Sequence, residues 1–376
     1  MKDSEILNYS VQISDGLTQT SADGISLAFD SKYGIMFGAY MPGLQGNYGE
    51  SRGRISLTYF PASQPTNSRT VDIVVEKDAY CPNILGLGDG KVRVFYEKDS
   101  RLDADHVTVY KDFDYLTQKL SEEKIVMLKR DDGKKVALCT SEQFAYLNKH
   151  GYKNQTYKNS EQISFGSHTI FRGQDGYVYG AITSYLAQPI LYRSNDNLES
   201  LEFFAICPYL AQYELDYKFV GNKIMAVFRT PTEKGSIYFT TSSDNGKTWS
   251  EPYLIKDSIP CRPRLINYNG GALVIANHFN DDTGNRPAIQ QARTSVRLYI
   301  VKGDELPNEK TLVKELYSKG GIVNVCAVDI LGDVYFAYST SRLALEYLNG
   351  NPMVRGKDAI RYVNLGDLME KKDVKL

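Results

Sequence analysis

The sequence predicts an all-β chain, a six-bladed β-propeller of four-stranded antiparallel blades forming a single domain over residues 1–376. Three observations carry this. A hairpin-like unit recurs six times, its turn glycines are mostly spaced by about one blade, and 376 residues exceed what one ordinary core encloses.

The copies run in order along the chain: Ala28–Tyr40 around Gly34, Ile84–Glu97 around Gly90, Ile170–Ile182 around Gly176, Lys218–Arg229 around Gly221, Leu265–Asn277 around Gly270, and Val328–Tyr338 around Gly332. Each joins two β-rich runs through a short Gly turn carrying Asp or Asn, or in the first copy Lys-Tyr-Gly, the chemistry of a tight hairpin. Successive glycines lie 56, 86, 45, 49 and 62 residues apart. The 86-residue interval holds an insertion whose expected element is a helix from Thr140 to about His150, with capping-box spacing between Thr140 and Gln143 and a stop at Gly151. The last copy has a third strand near Ala359–Asn364 and no evident fourth, so the N-terminal run Ile6–Ile13 is expected to supply it and close the ring.

Composition narrows the partners. Lys and Arg total 44 against 45 Asp and Glu, which gives no basic excess for nucleic acid. No apolar run reaches a membrane span. Met1–Glu5 lacks an apolar leader core, so the expected location is cytoplasmic, or secreted or periplasmic if a leader has been removed. Cys81, Cys139, Cys207, Cys261 and Cys326 form no paired motif, and the expectation is buried thiols with no metal and no cofactor. The 28 tyrosines suit both strands and sugar pockets.

One motif is specific. Ser242-Ser243-Asp244-Asn245-Gly246-Lys247-Thr248-Trp249 fits S-x-D-x-G-x-T-W, and an eroded copy is Ser194-Asn195-Asp196-Asn197-Leu198. Physically this is a hairpin turn in which Ser242 and Asp244 bond local amides, Gly246 takes a positive φ and Trp249 packs the turn down. The motif resembles the Asp box of the sialidase (BNR-repeat) superfamily, where it is structural and lies away from the active face. Residues 210–300 carry the resemblance furthest. It implies a carbohydrate-active site on the propeller axis, with Glu214 beginning an inner strand and Arg229 and Arg293 matching the arginines that clamp a substrate carboxylate.

The chain also departs from that pattern. Ser21–Ile25 holds no arginine where the first clamp residue belongs, and Ile322–Val325 holds no nucleophilic tyrosine. Glu50 stands in the loop where the family has its acid aspartate. The expectation is a kept fold with an altered pocket.

Residues seven or eight before each turn glycine should line the axis: Asn83, His168, Glu214, Arg262 or Pro263, and Asn324. Polar groups there need partners or a pocket. Glu214 is the candidate acid, base or nucleophile, His168 a general base or sugar-hydroxyl ligand, and Glu50 or Asp105 the second carboxylate that glycoside hydrolysis requires. His278 falls just after a second strand, toward the active rim; Asp103, Asp105 and His106 occupy the analogous loop of the second repeat. Arg52, Arg54, Arg229, Arg262, Arg264 and Arg293 form a set suited to an acidic sugar.

The leading expectation is a sialidase-like glycoside hydrolase acting on an oligosaccharide or glycoconjugate. A polysaccharide lyase using His168, Tyr213 or Tyr217, and Arg229 is the second reading, and a non-catalytic glycan-binding propeller the third.

Overall fold

The computed structural model describes residues 6, 9–14, 22–42, 54–75, 79–99, 106–138, 146, 149, 170–183, 188–211, 214–230, 237–259, 261–278, 295–318, 322–330, 332–340 and 360–366. They form 27 strands in six sheets.

After a short N-terminal strand β1 (Val11–Gln12), blade 1 is β2 (Ala22–Asp30), β3 (Ile35–Pro42), β4 (Ile55–Pro61) and β5 (Arg69–Val74). Blade 2 is β6 (Ala79–Gly88), β7 (Lys91–Asp99), β8 (His106–Asp114), β9 (Lys119–Leu120) and β10 (Lys124–Ile125). Blade 3 is built from β11 (Met127–Lys129), β12 (Lys135–Ala137), β13 (Phe171–Arg172), β14 (Val178–Ile182), β15 (Ile190–Ser194) and β16 (Ser200–Ile206). Blade 4 is β17 (Leu215–Val220), β18 (Lys223–Arg229), β19 (Ile237–Ser242) and β20 (Tyr253–Leu254). Blade 5 is β21 (Arg264–Tyr268), β22 (Gly271–His278), β23 (Ser295–Val301) and β24 (Leu312–Tyr317). Blade 6 is β25 (Val323–Ile330), β26 (Asp333–Ser339) and β27 (Ile360–Asn364), completed by β1, which pairs antiparallel with β27.

The strands run as antiparallel meanders because the turn residues favour tight reversals. All six repeat glycines take positive φ, from 60° at Gly221 to 95° at Gly332. Buried side chains fall into six apolar clusters, one between each adjacent pair of blades, including blades 6 and 1. In this closed ring the two faces of each blade are covered by its two neighbours. The sixth interface is sealed by Ile13, Met36, Tyr40, Phe60, Ala337 and Tyr362, so the first and last blades are tied by packing as well as by the β1–β27 pairing.

The long interval between blades 2 and 3 contains structure that the sequence reading did not anticipate. The chain leaves the edge of blade 2 at β10 and, after Val126, enters β11, which lies parallel to β16 of blade 3; β11 and β12 then form a hairpin through Asp132-Gly133. Blade 3 is therefore six-stranded, and the excess length is partly an outer hairpin. The expected helix over 140–150 falls outside the described residues except Tyr146 and Lys149, both of helical backbone. No helix among the described residues is long and apolar enough to cross a membrane.

The turn read as an Asp box is built as its chemistry requires. Ser242 Oγ accepts from Gly246 N (2.8 Å), and Asp244 accepts from Thr248 N (2.8 Å) and Thr248 Oγ1 (2.6 Å). Trp249 Nε1 donates to Gly246 O at 3.1 Å. Gly246 has φ +83°, and a Cβ there would meet Ala205 Cβ of blade 3 at 2.6 Å, so both backbone and contact demand glycine. The eroded copy repeats the serine and aspartate bonds, with Leu201 at the position of Trp249. Ser194 Oγ accepts from Leu198 N (2.9 Å), and Asp196 accepts from Ser200 N (2.9 Å) and Ser200 Oγ (2.6 Å). Leu198 holds φ +67° in place of glycine and is fully buried. Its apolar contacts offset a backbone strain of about 1 kcal/mol. Blade 2 reaches across to this turn: Arg93, clamped bidentately by Asp112, donates from Nη1 to Asn197 O at 2.9 Å.

Candidate functional site

The first strand of each blade lies innermost. β2, β6, β13, β17, β21 and β25 therefore surround the axis, with the Gly turns at one end and the candidate residues toward the other. The two sides of this ring differ in chemistry.

Blades 4 and 5 present charge. Glu214 precedes β17 and its Oε2 accepts from Arg229 Nη1 at 3.3 Å; the backbones of the same two residues are joined by Arg229 N to Glu214 O at 3.0 Å. Their side chains are 13% and 20% exposed, enclosed but reachable. Along β17 alternate residues are Asp216 and Lys218, both buried. Asp216 takes Lys218 Nζ on Oδ1 at 3.2 Å and Leu265 N on Oδ2 at 3.0 Å, tying β17 to β21. Lys218 Nζ also donates to Tyr217 O at 3.1 Å and sits 4.3 Å from the centre of the Phe171 ring. Burial pulls the Lys218 ammonium below its ordinary value, and Asp216 opposes that pull. On the blade 5 side, Arg262 and Arg264 are 7% and 2% exposed. Arg264 Nε donates to Val325 O of blade 6 at 2.7 Å.

Blades 6, 1 and 2 present neutral polar groups on bent strands. The ladder slips between Asp23 and Ser26 in β2, between Tyr80 and Asn83 in β6, and between Val323 and Cys326 in β25. Each slip sets two inner-strand residues against one on the second strand, and those single residues are Tyr40, Tyr96 and Tyr338, all fully buried. Cys81 and Asn324 accommodate their bulges with φ of +52° and +49°. Such bulges re-aim side chains at a strand end. Ser26 Oγ donates to Asn83 Oδ1 at 2.9 Å, and the same oxygen accepts from Ile84 N at 2.9 Å.

Among the residues expected at the site, Glu214, Arg229, Arg262, Asn83 and Asn324 lie at the ends of inner strands or beside them. His168, Glu50, Asp105, Arg293 and Tyr213, with Arg52 and Asp103, lie outside the described residues. The side chain of His106 lies outside them too. Three expected site residues are placed elsewhere. Tyr217 points between blades 3 and 4, 1% exposed, its hydroxyl donating to Gly180 O at 3.2 Å; burial raises its phenol well above the ordinary value. Arg54 adjoins β4, the third strand of blade 1, and Asp72 holds its guanidinium bidentately. His278 is not in a loop: it ends β22, 2% exposed, with Nε2 3.1 Å from Glu315 Oε1, while Arg297 Nε holds Glu315 Oε2 at 3.2 Å. The His278 imidazole beside it keeps the Glu315 carboxyl below its usual range, with Arg297 adding to the effect.

Sequence reasoning missed Asp216, Lys218 and Ser26 as parts of the axis. The signal was present for two of them: Leu-Asp-Tyr-Lys-Phe alternates charge with aromatic and aliphatic residues at period two. Arg262-Pro263-Arg264 continues the pattern on the next blade.

No protein-family model matches the sequence, and no curated protein matches it. Solved structures do. A Dyadobacter fermentans protein of unknown function aligns over 94% of this chain and 96% of its own, with a TM-score of 0.59 and 11% identity. Trypanosoma rangeli sialidase in complex with sialic acid aligns over 98% of this chain, with a TM-score of 0.58 and 10% identity; the chain spans 59% of that protein's length. A Streptococcus pneumoniae sialidase aligns over 95% of this chain and 70% of its own, with a TM-score of 0.55 and 12% identity. The all-β chain thus has the six-bladed propeller fold that the sialidases have, and at these identities the likeness is one of fold.

Proposed function

We propose that the chain is a carbohydrate-active enzyme, a glycoside hydrolase with an altered pocket that acts on an acidic sugar at the propeller axis. The observation that carries this reading is the enclosed Glu214–Arg229 pair at the head of β17, beside buried Arg262 and Arg264. Glu214 Oε2 is held by Arg229, and Oε1 has no partner among the described residues. That oxygen is available to take or give a proton, or to attack an anomeric carbon. Guanidinium groups suit a sugar carboxylate, and the neutral donors and acceptors of blades 6, 1 and 2 suit hydroxyls.

Hydrolysis needs a second carboxylate, and Glu50 and Asp105 are the proposed partners. His168 and Arg293 are proposed to complete the wall of the pocket, with Tyr213 beside Glu214. The trypanosomal sialidase with bound sialic acid lends support by fold alone. Tyr217 offers no support to a lyase reading, because its hydroxyl is spent in the core.

The test is turnover of a panel of acidic and neutral oligosaccharides by the wild type and Glu214→Gln. Sugar released by the wild type and lost in the variant supports the reading. An unsaturated product absorbing in the ultraviolet would instead identify a lyase. Tight glycan binding without any product would leave a binding propeller.

A further inference from the structure

We propose that Tyr96 and Tyr338 are positioning residues of the site: each is a strut that runs from the outermost strand of its blade to a bulge on the axis and fixes the aim of the polar groups there. The assignment rests on the proposed function, and half of its test is independent of any sugar.

The bulges need holding. In β6 the extra residues are Cys81 and Pro82, and in β25 they are Asn324 and Val325. A bulge leaves ladder bonds unmade. Cys81 and Asn324 sit at φ of +52° and +49°, a conformation that residues other than glycine hold only where their surroundings impose it. What depends on each bulge is polar. Asn83 follows the first, and its Oδ1 accepts from Ser26 Oγ at 2.9 Å. Asn324 belongs to the second, where Val325 O accepts from Arg264 Nε at 2.7 Å.

The residue opposite each bulge is a fully buried tyrosine, and both hydroxyls are anchored at the far edge of the blade in the same way. Tyr96 donates to Glu123 Oε2 at 2.6 Å, and Lys98 Nζ holds Glu123 Oε1 at 3.0 Å. The Tyr338 hydroxyl shares a 2.9 Å hydrogen bond with Ser10 Oγ, to which Arg361 Nε donates at 2.7 Å. Glu123 and Ser10 immediately precede the outermost strands β10 and β1. Both rings also lie against the preceding blade, Tyr96 on blade 1 and Tyr338 on blade 5. Two unrelated stretches of sequence thus build one device, with a bulge, a tyrosine, an outer anchor and a cation that holds the anchor. Shifting either ring would strand a buried hydroxyl, so the anchor resists a slip of the bulge. Blades 4 and 5, whose inner ladders are regular, have no tyrosine on β18 or β22.

The experiment measures amide hydrogen exchange and steady-state kinetics in Tyr96→Phe, Tyr338→Phe and a control, Tyr59→Phe. The control also loses a 2.6 Å hydroxyl bond, to Gln118, but Tyr59 lies on the third strand of blade 1, away from the inner-strand bulges. Tyr338→Phe should speed exchange over 324–326 by about tenfold, and Tyr96→Phe should do so over 81–84. On a cleaved acidic glycan each should raise KM by about three- to tenfold and leave kcat within about twofold. Tyr59→Phe should change neither. Ser10→Ala and Glu123→Ala, at the outer edge, should reproduce the two effects, and they take the place of a phenylalanine variant that fails to fold. Ser10→Thr and Glu123→Gln keep an anchoring oxygen and should behave as the wild type. Strut variants that match Tyr59→Phe would overturn the proposal. So would faster local exchange with an unchanged KM, because the struts would then hold the fold and not the site. A wild type that binds a glycan without cleaving it would refute the catalytic reading alone, and the glycan Kd would then stand in for KM. A wild type that neither cleaves nor binds a glycan would end both.

Discussion

The two sides of the axis solve the same problem, polar groups at the centre of an apolar ring, in opposite ways. Blades 4 and 5 keep regular inner strands and place charges at alternate positions, Glu214, Asp216 and Lys218 on one strand and Arg262 and Arg264 at the head of the next. Blades 6, 1 and 2 bend the inner strands instead, and the buried charge described near their heads is Glu97, on the second strand of blade 2. Their bulges are backed by Tyr40, Tyr96 and Tyr338, and their polar groups are neutral, as at Ser26, Asn83 and Asn324. On the proposed function, this contrast gives the site a direction: an anionic end of the sugar is expected against blades 4 and 5, and its hydroxyls against the bulged side.

Substitutions on either side test that contrast. The largest effect is expected in catalysis. Glu214→Gln should lower kcat by about 10²–10⁴, the usual weight of a proton-transferring group. Asn83→Ala, on the neutral side, should act mainly through KM, by about tenfold for one lost hydrogen bond. Steady-state kinetics on a cleaved acidic glycan separates the two. If both variants lose kcat alike, the division between halves is wrong.

Stability should follow the same line. Asp216→Asn strips Lys218 of its buried partner and is expected to cost about 3–5 kcal/mol, whereas Ser26→Ala is expected to cost about 1 kcal/mol. In the latter the Asn83 oxygen keeps its bond from Ile84 N. Denaturant unfolding of the two variants reads this directly, and equal losses would mean that charge does not distinguish the halves energetically.

Salt gives a smaller and more selective effect. For an acidic substrate, KM of the wild type and of Asn83→Ala should rise together with ionic strength, and that of Arg262→Met should rise less. Parallel curves for all three would remove the charged side from ligand capture.

At the rim the expected effect is smaller still. Hydrogen bonds from Thr248, first its hydroxyl and then its amide, hold the Asp244 carboxyl at about 2. That lies below the ordinary value of about 3.9, so the contribution is complete above pH ~4 and lost as pH falls through about 2. Asp244→Asn should remove this step from the acid unfolding curve while leaving the axis and its activity in place. A variant curve identical to the wild type would show that the turn does not depend on the charge of Asp244.

Much of the fold was legible because tight turns have strict local chemistry. Gly34, Gly90, Gly176, Gly221, Gly270 and Gly332 marked the six hairpins, and the Ser194 turn was recognisable even with leucine in the glycine position. The β11–β12 hairpin was missed although Asp132-Gly133 announces a turn. Its strands are three residues long, and the parallel pairing with β16 depends on a non-local partner. The bulges were illegible for a related reason: a slipped ladder leaves no compositional trace beyond an unusual residue at positive φ, such as Cys81 or Asn324. At the site, Glu214 and Arg262 could be named because polar residues at the heads of apolar strands stand out, and Arg229 because its segment resembles a sialidase blade. Tyr217 was misplaced because strand alternation assigns it a face without saying that this face meets blade 3.

The central claim is that the charged side of the axis faces an acidic group of the sugar. The most direct test is kcat/KM of the wild type on an acidic oligosaccharide and on the same oligosaccharide with its carboxylate reduced to an alcohol. The reduced substrate is expected to be at least about tenfold poorer, the loss of one charge-assisted contact. Equal kcat/KM for the two would contradict it, and the arginines of blades 4 and 5 would then be parts of the scaffold.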